Sequence, residues 1–597
     1  MNGLYSIVFL FIFYALICVG NILKNKKLNL IKTIPNLLLE SFLHLILSYA
    51  LIVLTLRIIK NINISHTLTS MCEGRLKFVL KFNGIAILFY TPLFSLSYIF
   101  RMQVLRQKRD KISSIVFSTI FVFFLVWLFM LVLYIDMMFP GLSVDQMLFT
   151  LTTPVTGTPT SIIAISYFML LCMPLLCTIF HFILAISGTY IIFSKKEKRL
   201  LPLFFKHKWI ASFALFLIFF TFFCIKFELH HFLRRELRGN SSFYEENYIN
   251  PKDVTFTFPE DKKNLIFIYL ESMEAEASCY AKEGVNLIPE LTKLGEENLS
   301  FSHNDKLGGQ SQLAGTSFSV GSICCTHLGL PLLVSIDAAL LSKNKYFFNG
   351  AEGLGDILKK GGYNCSFIVG SKGNFGGQER LLTTHSFDFK ALEYYRKIGK
   401  VPEDYMVWWG IEDTKLLEFA KEELLDLAKK EKPFAFSVFF EDTHFPEGYI
   451  CEECENKYPN QIHNVFSCMS RRIGKFVEWI KEQEFYQNSV IVILGDHLYM
   501  GDDLYDDKNA PRHAYNAFIN VDKSHANSKN RAFATFDFFP TIVESLGITY
   551  DKEGLGLGRS LFSGKPTLLE QMGFDALQEA LQAKSNFYRY SLLSKKE

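Results

Sequence analysis

Six apolar runs, each of about 20 residues or more, lie before residue 230 and decide what this chain can fold into. They are Leu4–Leu23, Leu37–Ile58, Phe78–Phe100, Ile112–Phe139, Ser161–Phe193 and Trp209–Phe227. As a helix, a run of that length crosses roughly 30 Å of hydrocarbon. Runs this long and this close together would leave a water-soluble protein with more apolar surface than one core buries. The composition agrees: 50% of the 597 residues are hydrophobic, and the mean hydropathy is +0.19. Residues 1–227 are therefore expected to be a polytopic α-helical membrane domain of about six spans. The fifth run is overlong and has room to tilt. The first lacks the basic start and small-residue cleavage site of a signal peptide, and counts as a span.

Basic residues orient these spans. Lys24, Lys26, Lys27 and Lys32 follow the first run, and Arg101, Arg106, Lys108, Arg109 and Lys111 follow the third. Lys195, Lys196, Lys198, Arg199, Lys206 and Lys208 follow the fifth, whereas the loop after the fourth has no Lys or Arg. Alternate loops then face the cytoplasm, and everything after Phe227 lies outside. Lys60, Arg75 and Lys77, in the second loop, dissent mildly. A five-span arrangement gives the C-terminal part the same side. The expected location is a bacterial cytoplasmic (inner) membrane, multi-pass, with a periplasmic or extracellular domain. A net charge of +3 gives no reason to expect a nucleic-acid partner.

Residues 228–262 are polar and non-periodic and read as a juxtamembrane linker; 263–565 read as a folded domain; 566–597 read as a peripheral helix and loose end. Within the domain, "NLIFIYL", "GGYNCSFIVG", "KPFAFSVFF" and "SVIVIL" are strand-like runs separated by helical patterns. That alternation predicts an α/β fold with a mostly parallel sheet sandwiched by helices. Ligands in such sheets bind at the carboxyl ends of strands. Glu271 follows the first run, Glu441, Asp442 and His444 follow the third, and Asp496-His497 follow the fourth. One Asp-His after a strand is ordinarily a turn, but three polar, metal-capable ends on one edge point to a site. Of the twelve cysteines, seven lie in this domain. Cys451, Cys454 and Cys468 are close in sequence, and a disulfide within the set is expected in an oxidising exterior, with reduced thiols as the alternative.

The segment 308–331, "GGQSQLAGTSFSVGSICCTHLGLP", puts a Gly-Thr-Ser before a run of small and apolar residues. Thr316 is expected near a helix N-terminus, where free N–H groups and the dipole favour an anion. The plainer reading makes Thr316 or Ser317 an N-cap.

Taken in order, "NLIFIYLESMEA", "GTSFSVGSICCTHLGLPL", "WWGIEDTKLLEFA", "EDTHFP", "VILGDHLYM", "TFDFFPTIVESLG" and "GLGLGRSL" resemble the sulfatase-like branch of the alkaline phosphatase superfamily. Within it they resemble most the family of phosphoglycerol transferase I, and more distantly lipoteichoic acid synthase. The resemblance implies Glu271, Thr316, Asp496 and His497 as ligands of one divalent metal, Mn²⁺ or Zn²⁺, with Mg²⁺ the harder alternative. It also implies Thr316 as the nucleophile and His444 as the residue that holds the substrate phosphate. The implied reaction moves glycerol phosphate from phosphatidylglycerol to a glycan or other hydroxyl acceptor through a phospho-threonine type intermediate. The sulfatase formylglycine setting is absent, since Thr326-His327 follow Cys324-Cys325 and Ser317-Phe318 follow Thr316. The Gly-rich "VGSKGNFGGQER" departs from lipoteichoic acid synthases, which carry His, Trp and Arg there.

Lys372, Asn374 and Arg380 in that stretch are candidates to contact glycerol phosphate, against a surface-loop reading. His513, in "APRHAYNAF", is a further substrate-binding candidate, whereas His385 and His463 read as surface or hydrogen-bonded residues. Trp408-Trp409 suit either a core or a lipid interface, and "GLGLGR" is a loop. A phosphoethanolamine transferase is the competing enzyme; its relatives usually end the first strand in Glu-Thr, where this chain has "LESME". A catalytically silent envelope sensor is the competing non-enzyme.

Overall fold

The structure is a computed structural model. It describes scattered residues between 120 and 225, then 229–593 apart from 238, 280–283, 334–346, 502–503, 506, 508–510 and 523–526. The chain divides into two compact units: residues 1–137 with 160–224, and residues 138–159 with 225–597. The six expected spans and their basic loops lie largely outside the described residues. Among the described residues no helix is long and apolar enough to cross a membrane.

The second unit is built on a seven-stranded sheet. Its strands are β3 (Gly309–Gln310), β8 (Ala514–Ile519), β7 (Ser489–Gly495), β2 (Asn264–Leu270), β6 (Phe434–Phe440), β4 (Asn364–Val369) and β5 (Asp388–Lys390), in that spatial order. A short antiparallel pair, β1 (Phe256–Thr257) with β9 (Thr549–Tyr550), stands apart. The five strands from β7 to β5 run parallel, while β8 is antiparallel to β7 and β3 to β8. The sheet is thus mostly parallel, as expected, with a mixed edge.

The central strands β2, β6 and β7 are buried at every residue. That explains why they read as continuous apolar runs: a parallel strand covered on both faces has no polar face to alternate with. Among the described residues, helices that cover it include α1 (Pro289–Glu297), α2 (Ser319–Leu328), α3 (Leu354–Lys360), α4 (Asp413–Ala428), α5 (Gln461–Lys481) and α6 (Phe538–Ser545). Leu265, Phe267 and Tyr269 of β2 face α2, α3 and α6 in one core. Ile266, Ile268 and Leu270 face α1, α4 and α5 in the other.

The segments flanking the sheet also reach the core. The expected 228–262 linker holds helices Leu229–Leu237 and Phe243–Asn247 and strand β1, and Tyr244 and Tyr248 are buried in the first core. The 566–597 tail likewise buries Leu577, Leu581, Tyr588 and Leu592 in that core. Polar spacing hid both segments, because each gives the core only a few large side chains.

Buried polar groups fix the antiparallel edge. The Asn516 side chain accepts from Phe301 N and donates to Phe301 O, each at 2.8 Å, inside the protein. Asn516→Leu is expected to strand both backbone groups and cost about 2–4 kcal/mol, read as a lower urea midpoint. An unchanged midpoint would contradict this account of the edge.

Candidate metal centre and active site

Leu270 of β2 lies opposite both Gly495 of β7 and Phe440 of β6. The next residues, Glu271, Asp496 and Glu441, therefore leave three adjacent strands at one level. Backbone bonds hold them there: Glu271 N donates to Phe440 O at 3.0 Å, and Asp496 N to Leu270 O at 3.2 Å. Glu271, Asp496 and His497 are buried and form a metal-capable group, with one ligand atom from each within 4.8 Å of the others. His497 Nε2 is 3.2 Å from Glu271 Oε1 and 3.3 Å from Asp496 Oδ2.

Each side chain is aimed by its other contacts. His497 Nδ1 lies 2.9 Å from Leu498 O, which suits a proton on Nδ1 and turns Nε2 to the carboxylates. Asp496 Oδ1 accepts from the backbone N–H groups of Ser272 and His497, both at 2.7 Å. Asp496 Oδ2 is buried with no hydrogen bond. Ser272, whose hydroxyl donates to Glu271 Oε1 at 2.8 Å, adopts a left-handed φ of 56° to make this turn.

The electrostatics show what the pocket lacks. Burial opposes charge on Glu271, but the His497 and His444 rings outweigh it and hold the carboxyl down at about 2. Burial, and then the Glu271 charge, push Asp496 up to about 7. Burial also opposes charge on His497, yet Asp496 and Glu271 lift its imidazole to about 10. A pocket that resists ionising an aspartic acid while clinging to an imidazolium proton is short of positive charge. The orphaned Asp496 Oδ2 and a donor set of two carboxylates and one imidazole fit a divalent ion such as Zn²⁺ or Mn²⁺.

The fourth expected ligand, Thr316, makes its hydrogen bonds elsewhere. Thr316 is buried and its hydroxyl is taken up by Leu313: it accepts from Leu313 N at 2.9 Å and donates to Leu313 O at 3.0 Å. No hydrogen bond ties it to the cluster. Ser319, three residues on, donates to Glu271 Oε2 at 3.0 Å. Helix α2 begins at Ser319, with Phe318 at its N-cap, so neither Thr316 nor Ser317 caps it. The helix-start amides that favour an anion thus surround Ser319. Counting back from the Gly329 stop, whose φ of 65° ends the helix, would have found this start.

His444 sits on the loop after β6. Thr443 fastens that loop by donating to the Glu271 carbonyl at 2.5 Å. His444 Nδ1 is 2.6 Å from Phe445 O, and burial holds its imidazole below the usual range. Its ring packs on Trp409 at 4.4 Å, and Trp409 in turn packs on Phe375. Trp409 thus belongs to the wall beside His444, a role the "WW" pair alone did not reveal. Lys372 lies half-buried on the loop after β4, next to Ser371, whose N–H donates to Glu441 Oε2 at 3.0 Å. Asn374 is exposed on the same loop, and Arg380 lies over the Phe347 ring. His513 is not in this cluster; it pairs with Glu276. His385 is buried against Asp356, and His463 against the Tyr458 ring.

Asp442 is not a ligand. It belongs to a buried network with Asp413 and Arg472, whose Nη1 is 3.2 Å from Asp442 Oδ2. Asp413 accepts from the N–H groups of Glu441 and Asp442, both at 2.8 Å. The expected disulfide is not formed. Cys451 Sγ is 3.4 Å from Cys454 Sγ and 3.7 Å from Cys468 Sγ, contact distances rather than a bond, and Arg472 Nη2 donates to Cys451 Sγ at 2.9 Å.

A mostly parallel sheet that gathers two carboxylates and an imidazole at its strand ends, with a helix-start hydroxyl against them, is the arrangement of a sulfatase-like domain. Residues 263–548 match the sulfatase family model. Over this stretch the chain is similar to sulfatases. It is 30% identical over 322 residues to phosphoglycerol transferase I of Escherichia coli, covering 53% of this chain and 41% of that protein. The same figures hold for phosphoglycerol transferase I of Shigella boydii. The chain thus spans under half the length of these relatives. Among solved structures it is similar to the lipoteichoic acid synthase of Listeria monocytogenes (17% identity, 52% of this chain and 79% of that one, TM-score 0.41). It is also similar to the integral membrane lipooligosaccharide phosphoethanolamine transferase A of Neisseria meningitidis (14%, 80% and 90%, TM-score 0.43).

Asp496→Ala is expected to remove one bound Zn²⁺ per chain and, with it, the zinc-dependent rise in melting temperature that this site gives. Metal analysis of the full chain in detergent reads the first, and thermal unfolding with and without chelator the second. A zinc content equal to that of the wild type would refute the ligand set.

Proposed function

We propose that the chain is a membrane-bound phosphotransferase that carries glycerol phosphate from phosphatidylglycerol to a hydroxyl of a periplasmic glycan or other envelope acceptor. The observation that carries the reading is the Ser319 hydroxyl, 3.0 Å from Glu271 Oε2 at the start of α2 and on the rim of the buried cluster. The 30% relatives named phosphoglycerol transferase I support the transferred group. The apolar runs before residue 230 support a site held near a bilayer, where a lipid donor is presented.

Glu271, Asp496 and His497 would hold one divalent ion, which when bound lowers the pKa of an adjacent hydroxyl and neutralises phosphoryl oxygens. Ser319, rather than Thr316, is the nucleophile in this reading, and Thr316 closes the turn that places it. Ser319 Oγ bonds to phosphorus as the bond to the diacylglycerol oxygen breaks; the serine proton passes to solvent water, and the leaving alkoxide takes one up from water. The helix-start N–H groups of α2 stabilise charge on the phosphoryl oxygens. In the second displacement an acceptor hydroxyl oxygen bonds to phosphorus and the serine ester breaks, the departing Ser319 oxygen taking up a proton from water. His444, neutral at neutral pH and with Nδ1 turned to Phe445 O, takes the acceptor proton at Nε2. The resulting cation then faces the phosphate it holds.

The test compares full-length wild type with Ser319→Ala and Thr316→Ala in vesicles of phosphatidylglycerol or of phosphatidylethanolamine. Brief incubation with phosphatidylglycerol should give a glycerol-phosphate adduct on the peptide "SFSVG" in the wild type and in Thr316→Ala. Ser319→Ala should show none and lose transfer by at least about 100-fold. Thr316→Ala should lose about 1–2 kcal/mol of stability and keep most activity. An inactive, folded Thr316→Ala beside an active Ser319→Ala would return the role to Thr316. An adduct only from phosphatidylethanolamine would replace the donor.

A further inference from the structure

Glu276, His303 and His513 form a second metal-capable group, with one ligand atom from each within 4.8 Å of the others. The backbone brings them together. On one side of Ala514, Glu274 forms an antiparallel bridge to it, and Ala275 N donates to His513 O at 3.0 Å. On the other side, Gln310 of β3 pairs with Ala514 and Gly309 with Tyr515. Ala514 is thus flanked on both sides, and His513 is clamped between the segment that carries Glu276 and the loop that carries His303. These are register positions, not ends of flexible surface chains.

The side chains are set accordingly. Glu276 is buried; its Oε2 accepts from His513 N at 2.8 Å, and its Oε1 is 2.7 Å from His513 Nδ1. The His303 ring stacks on that of His513, with centroids 3.4 Å apart and planes 14° apart. A close sandwich is not the arrangement two rings adopt for their own attraction, which favours offset or edge contacts. His303 Nε2 is 2.9 Å from Asn304 Nδ2. His303 Nδ1 is buried with no hydrogen bond beyond a weak contact to the Gly309 backbone. The loop closes tightly here: a Cβ on Gly308 would fall 2.7 Å from His303 Nδ1.

We propose that Glu276, His303 and His513 bind a second divalent transition-metal ion, separate from that of Glu271, Asp496 and His497. Two imidazoles and a carboxylate suit Zn²⁺ over Ca²⁺ or Mg²⁺. Three protein ligands leave a fourth position open to an oxygen of water, phosphate or a hydroxyl. His513, expected from sequence to touch substrate directly, would then act as a ligand on the same edge of the sheet.

The experiment strips the full chain in detergent of metal, equilibrates it with Zn²⁺ and counts ions per chain by elemental mass spectrometry. Asp496→Ala and the double variant Glu276→Gln/His303→Gln should each hold one Zn²⁺ fewer than the wild type, and their combination two fewer, whatever the thiols of Cys451, Cys454 and Cys468 bind. The Gln replacements keep volume and hydrogen bonding, and circular dichroism checks the fold. A second measurement leaves the trio intact: in Asp496→Ala, Zn²⁺ should protect His303 and His513 from diethyl pyrocarbonate, mapped by peptide mass spectrometry. An unchanged count in the double variant, or equal modification with and without Zn²⁺, overturns the proposal. Because Asp496→Ala lacks the first site, failure there is separable from failure of the reading of the Glu271 cluster.

Discussion

Everything at the candidate site depends on one register. With Leu270 level with Gly495, two acids leave neighbouring strands side by side in a region from which water is excluded. Bringing two carboxylates into such a place is unfavourable unless positive charge joins them. The chain answers with His497 one residue on, with two backbone N–H groups on Asp496, and with a helix start opposite. The loop after β6, tied down through Thr443, completes the wall with His444 and Trp409. Shifting β7 by one residue would turn Asp496 to the other face and disperse the cluster.

What the sequence made legible followed from repetition. Four apolar runs separated by helical patterns indicated a mostly parallel sheet, and polar residues after three of them marked the edge where Glu271, Asp496 and His497 converge. What stayed hidden depended on contacts between segments distant in sequence. Thr316 and Ser319 both precede small residues, and only the turn closed on Leu313 separates a tied hydroxyl from one that reaches Glu271. Asp442, one of the polar residues after the third apolar run, is engaged by Arg472 from α5 and Asp413 from α4. His513 finds its partners in Glu276 and His303, more than two hundred residues earlier in the chain.

The buried Arg472 network gives the loop its stiffness. Asp413 accepts from the backbone N–H groups of both Glu441 and Asp442, and the Arg472 guanidinium lies against both acids. The thiols of Cys451 and Cys468 lie against the same guanidinium, with Cys454 beside Cys451. His444 therefore hangs from a segment braced by ionic contacts on one side and by the strand β6 on the other, so its ring is positioned before any substrate arrives.

The segments on either side of the sheet domain meet in its first core. Tyr244 donates its hydroxyl to Leu581 O, its ring packs on Tyr588 at 4.8 Å, and Gly350 N donates to Leu592 O. A chain emerging from the ribosome passes Tyr244 long before Tyr588 exists. The sheet can pair as its strands appear, but this part of the core stays open until the last described turn arrives. A product that stopped before Leu577 would therefore carry every site residue while leaving the core around Tyr244 exposed to water.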